Sequence, residues 1–163
     1  MKRMLGAALA ASLFGTSPSP VYLTPDGYGS ARLGMPVQQI TEMLGTLEDG
    51  RGDFNCLVAR SGKDRGVRLL FIRDRLARVE VRAPSRARTP RGIGIGSTEA
   101  EVRRAYGPGL QVEANEYEPA PAKNLTFWTH PDARGVRFET DASQRVVAIY
   151  AGDRTIRYAE GCS

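Results

Sequence analysis

The chain has 163 residues, of which 25% are charged and 41% hydrophobic, with a formal net charge of +5. It carries a single histidine and two cysteines. Most hydrolytic schemes are thereby excluded, since each would have to run through His130, and the common zinc-site spacings are absent.

Lys2 and Arg3 precede an apolar stretch from Met4 to Phe14, followed by the small residues Gly15-Thr16-Ser17 and by Pro18 and Pro20. This is the layout of an export signal over residues 1–20, too short to anchor a bilayer. An N-terminal core helix is the competing reading. No cysteine lies nearby for lipid attachment. Removing the segment takes away two basic residues and no acidic ones, so the charge falls from +5 to +3. About 143 residues would remain, enough for one ordinary domain or two small packed units. Nothing later in the chain resembles a membrane span.

Residues 18–30, rich in Pro, Gly and Ser, form a lead-in that can add an edge strand. From Pro36 to Leu44, apolar Val37, Ile40, Met43 and Leu44 fall on one face of a short helix. Pro36 suits its first turn and Gly45 its end. Two β-rich runs follow, Phe54 to Ala59 and Val67 to Ile72, separated by the turn signal Ser61-Gly62-Lys63-Asp64. Leu76 to Val81 then alternates as a half-buried strand.

The next stretch, Arg82-Ala83-Pro84-Ser85-Arg86-Ala87-Arg88-Thr89-Pro90-Arg91, reads either as a basic patch or as a solvated linker kept extended by its prolines. No aromatic residues interleave with the arginines, as they would on a base-stacking surface, so nucleic acid is not an expected partner. Thr98-Glu99-Ala100-Glu101 is a capping-box pattern opening a second helix, with Val102, Ala105 and Tyr106 on one face and Gly107-Pro108 at its end. Asn124 to Trp128, Val136 to Glu139 and Val146 to Ala151 supply a further set of strands.

Helix start, glycine end and strands thus occur twice. The expected fold is α+β, two tandem copies of a short helical start plus about three antiparallel strands, the sheets forming one curved surface. The expected layout is a signal over 1–20, a first unit over 21–82, an Arg/Pro-rich linker over 83–91 and a second unit over 92–163. Cys56 and Cys162 form an even pair, read as a disulfide in an oxidising compartment; a redox-active pair is the alternative, without Cys-x-x-Cys spacing.

The recurring positions Gly34, Ile40, Leu44 and Gly45, then Gly96, Val102, Tyr106 and Gly107, resemble the SmpA/OmlA unit of small bacterial envelope proteins. Two such units behind a signal, with cysteines bridging distant parts, resemble the β-lactamase-inhibitor-protein architecture. That resemblance implies a binding protein built on a concave sheet, without naming its target.

Function follows as an expectation. The chain reads as an exported, non-enzymatic binding module, periplasmic or secreted, that contacts another protein through an antiparallel sheet face. It needs no cofactor and no metal. Tyr117, Trp128 and Tyr150 are the candidate contact residues, since aromatics on one sheet face make good anchors. The alternative is a small envelope enzyme or small-ligand binder using Glu113, Glu116 or His130, the first two lying in the densest acidic stretch.

Overall fold

Local chemistry sets the ends of the two helices, and a run of strands follows each. The structure, a computed structural model, describes residues 21–130, 133–158 and 161–162. The export signal expected over 1–20 lies outside the described residues. Three two-residue strands, β1 (Leu23–Thr24), β2 (Gly27–Tyr28) and β3 (Ala31–Arg32), form a small antiparallel sheet. Helix α1 (Val37–Leu44) follows Pro36 and stops at Gly45, whose φ of 79° is the left-handed turn that favours glycine. It leads into β4 (Leu47–Gly52), β5 (Cys56–Ser61), β6 (Val67–Ile72) and β7 (Arg75–Arg82).

Helix α2 (Glu99–Tyr106) carries the expected capping box: the Glu101 N–H donates to Thr98 Oγ1 at 3.2 Å, and the Thr98 N–H donates to Glu101 Oε2 at 2.7 Å. Gly107, at φ 66°, ends it in a short 3-10 turn, Gly107–Gly109. Then come β8 (Gln111–Ala114), β9 (Lys123–His130), β10 (Arg134–Thr140), β11 (Val146–Gly152) and a second 3-10 turn, Arg154–Arg157.

Two tandem copies of a helix and about three strands are not what the chain builds. Each helix leads into four strands, and all eight belong to one antiparallel sheet in the order β4-β5-β6-β7-β11-β10-β9-β8. The seam is the pairing of β7 with β11, from Arg82 opposite Ala148 to Arg78 opposite Gly152. It joins the two runs of strands into one hydrogen-bonded surface. The additional strands are the two edges, β4 and β8, which are exposed along nearly their whole length.

One face of this sheet holds the core. Ile40 and Leu44 of α1, Val102 and Tyr106 of α2, and Leu23 and Tyr28 of the small sheet pack onto it. Phe71 and Phe138 are fully buried there, each contributing about 1.5–3 kcal/mol by leaving water. Tyr106 meets Phe127 and Phe138 with ring centroids 5.1 and 5.0 Å apart. Arg91 closes this cluster from outside, its guanidinium 4.6 Å from the Tyr106 ring centre while Nη1 donates to Ala105 O. Other parts of the Arg/Pro stretch are also tied down: Ser85, Ala87 and Thr89 are buried, and Arg88 O accepts from the Leu23 N–H.

Candidate binding face

The strand alternation that buries Val67 and Leu69 in β6, and Val79 and Val81 in β7, turns Arg68, Arg78, Glu80 and Arg82 to the opposite, helix-free face. Residues opposite one another across paired strands share a face. Register therefore draws a single polar row across all eight strands: Glu48, Arg60, Arg68, Glu80, Tyr150, Arg137, Thr126 and Gln111.

The centre of the row is a closed network. Arg82 Nε donates to Glu80 Oε1, and its Nη2 donates to Tyr150 Oη at 2.6 Å and to Glu139 Oε2 at 3.4 Å. Tyr150 in turn donates its hydroxyl to Glu139 Oε2 at 3.2 Å. Burial and the Glu80 and Glu139 carboxylates push the Tyr150 phenol up to about 12. The hydrogen bond it donates to Glu80 and the nearby acids hold the Arg82 guanidinium above its ordinary value despite burial.

The C-terminal segment runs over this face as a strap. Arg78 Nη1 donates to Thr155 O at 2.8 Å and Tyr158 O at 2.9 Å; Arg137 Nη1 donates to Ile156 O and Arg157 O at 3.4 and 3.3 Å. Cys162 is bonded to Cys56 of β5, with Cα atoms 5.5 Å apart. Ile156 packs with Ala148, Tyr150 and Trp128 in a small second apolar cluster beneath the strap.

Recesses flank the strap. On the β8–β10 side a recess of about 390 Å³ is lined by Glu113, Glu116, Tyr117, Asn124, Arg137 and Arg157. On the β4–β7 side three adjoining recesses of about 330, 420 and 340 Å³ all have Arg68 in their walls. Arg51, Arg60, Arg65 and Arg82 complete this basin.

The expected contact residues fall into different roles. Trp128 and Tyr150 lie together, but Tyr150 is only 4% exposed and works as the hub of the network. Trp128 is half-buried, with Nε1 donating to Gln111 Oε1 at 3.3 Å and the Arg157 guanidinium 5.6 Å from its ring centre. Tyr117, at 71% exposure, stands apart in the β8–β9 loop and lines the recess with Glu113 and Glu116. His130 ends β9 opposite Arg134. Of the basin arginines, only Arg82, at the head of the Arg/Pro stretch, was singled out from sequence; the alternation around Val67 and Val79 was the signal available for Arg68 and Arg78.

No family model and no curated protein sequence matches the chain. Among solved structures, an extracellular protein containing a SCP domain from Bacillus anthracis str. Ames shares the fold at a TM-score of 0.54 and 9% identity, over 92% of this chain and 52% of that one. A cysteine-rich secretory protein from Staphylococcus aureus subsp. aureus Mu50 aligns at a TM-score of 0.39 and 11% identity, over 76% of this chain and 44% of that one. The chain thus spans about half the length of these two proteins. The resemblance to the SmpA/OmlA unit and to the β-lactamase-inhibitor-protein architecture is corrected by this likeness and by the single eight-stranded sheet. Its matching positions have a local cause: Gly34, Gly45, Gly96 and Gly107 all sit at positive φ, and Ile40, Leu44, Val102 and Tyr106 are core contacts. Any helix set onto a sheet between tight turns asks for such residues.

Proposed function

We propose that this chain is an exported, non-enzymatic binding module that docks another protein on the helix-free face of its eight-stranded sheet, in the periplasm or outside the cell. The observation that carries the reading is the polar row that crosses every strand of that face, opposite a face whose inner strands are taken up by core packing. Its chemistry is that of recognition. Guanidinium groups, a tyrosine hydroxyl and an indole edge offer directed hydrogen bonds and flat apolar surface, the combination that anchors protein interfaces. Tyr150, pushed up to about 12, is tuned away from proton transfer near neutral pH.

Export is supported by the basic and apolar pattern over 1–20 and by the Cys56–Cys162 bridge, the kind that persists in oxidising compartments. The fold likeness to a protein described as extracellular points the same way. In this reading Tyr117 and the outer edge of Trp128 touch the partner, while Tyr150 holds Arg82 in place from beneath.

The test is to immobilise disulfide-intact protein, load native envelope extract and footprint the retained complex by hydroxyl-radical oxidation. Protection of Tyr117 and Trp128, with Tyr22 on the far side still oxidised, supports the reading. Protection centred on α1 and α2 overturns it. A second reading, a small-ligand binder, is favoured by the β8–β10 recess, which brings Glu113 and Glu116 together with Arg137 and Arg157. A metabolite that shifts the Tyr117 resonance with no protein retained on the column would favour it.

A further inference from the structure

The arginines of the helix-free face divide into two sets. Arg60 is paired with Glu48 and Asp49, Arg82 with Glu80 and Glu139, and Arg78 is consumed by the carbonyls of the strap. The guanidinium groups of Arg51, Arg65 and Arg68 make no hydrogen bond or ion pair with the described residues. They are neighbours across the β4–β7 basin, and Arg68 lines each of its three recesses. Arg68 also stands directly opposite Arg60 in the β5–β6 register. On its other side it faces Glu80, which Arg82 already engages, so the like charges opposed at Arg60 and Arg68 leave the Arg68 fork open to an outside carboxylate.

We propose that this basin receives an acidic, extended segment of the partner protein, with Arg68 gripping a carboxylate at its centre. The inference rests on the helix-free face being the docking face, and it names the chemistry that docks there. Arginine suits the task because its planar fork meets a carboxylate with two parallel hydrogen bonds, which a lysine point charge cannot do. The surroundings choose a polypeptide over a uniformly charged polymer. Glu48, Asp49 and Glu80 stand among the arginines and repel an unbroken line of anions. A peptide can set a carboxylate against Arg68 and a neutral residue against Glu80. Val58 gives two of the three recesses an apolar floor for the methylenes of such side chains.

The experiment uses the full, disulfide-intact protein, labelled with nitrogen-15, and follows the arginine Nε–Hε resonances. The probe is an alternating glutamate–alanine decapeptide, with inorganic polyphosphate of equal charge as comparison. Saturable shifts confined to Arg51, Arg65 and Arg68, weakened about tenfold when salt rises from about 50 to about 200 mM, are expected. Arg68→Ala and Arg51→Ala, both at exposed positions, should each weaken the peptide about tenfold without lowering the melting temperature. Shifts spread evenly over arginines elsewhere, or none, overturn the proposal. Tighter binding of polyphosphate than of the peptide overturns it in favour of a phosphate polymer. Partner retention and the footprint on Tyr117 and Trp128 that persist unchanged in Arg68→Ala would sink this inference and leave the docking face standing. A footprint on the helices would remove both.

Discussion

Two side chains show how individual residues tie the layers together. Glu99 opens α2 and is buried, yet its Oε1 accepts from Arg103 at 2.7 Å and from Lys123 of β9 at 3.1 Å. Burial pushes its carboxyl up, but the two hydrogen-bonded cations outweigh burial and hold it below the ordinary carboxylate value. A carboxyl depressed in the fold stabilises above its unfolded value and stops doing so as pH falls through its folded value. Glu99→Gln should therefore cost about 1–2 kcal/mol at pH 7, with the deficit shrinking as the pH drops below about 4.3. Urea unfolding of both proteins across that range measures it; a deficit independent of pH would mean that the charge plays no part. Tyr150 has the opposite sign. Its neutral form is favoured in the fold, so its contribution is complete below about 10, the unfolded value, and is lost as pH rises through about 12. In an alkaline titration at the tyrosinate absorbance, Tyr150→Phe should delete an ionisation near pH 12 and leave those of the exposed tyrosines in place.

Among the elements, the strap is the part whose behaviour is simplest to read, because Trp128 is the sole tryptophan and lies against it. Loosening the strap with Arg137→Met, which removes the donors to Ile156 O and Arg157 O, should shift the indole emission to longer wavelength and raise its quenching by iodide. An unchanged spectrum would mean that the bridge and Arg78 suffice to seat it. The helices and inner strands were legible in sequence because their signals are local. Thr98 and Glu101 announce a cap, Gly45 and Gly107 a stop, and Val67-Arg68-Leu69 an alternation. The edge strands were not legible. Leu47–Gly52 is Leu-Glu-Asp-Gly-Arg-Gly, and Gln111–Ala114 runs into the acidic stretch through Glu113. Charge and glycine on an edge discourage aggregation but erase the strand pattern. The continuity of the sheet was hidden for a different reason. The β7–β11 seam pairs residues near 80 with residues near 150, and alternation reports which face a residue takes, never which strand lies beside it. The basin escaped notice likewise: Arg60 and Arg68 become neighbours only through register.

For the whole molecule, the bridge between Cys56 and Cys162 spans a sequence separation of 106. Chain-entropy arithmetic gives an upper figure of about 4–5 kcal/mol for a loop of that size. Reduction should thus lower the urea midpoint while leaving the strand content in the far-ultraviolet spectrum at low denaturant. Loss of strand signal on reduction in buffer alone would show instead that the sheet depends on the bridge to form at all. The same reduction should weaken an acidic probe at the basin, since Gly161 and Cys162 line one of its recesses.

The seam and the bridge together give the molecule an unusual tolerance to scission. The backbone enters one half of the sheet from the other through residues 83–91, where Arg86 is exposed, and the two halves are also stitched by β7 against β11 and by sulfur. A protease that nicks the chain at Arg86 would produce two pieces that travel as one, still zipped and still covalently joined, until a thiol is added. Such a nicked form should keep the helix-free face of the sheet intact.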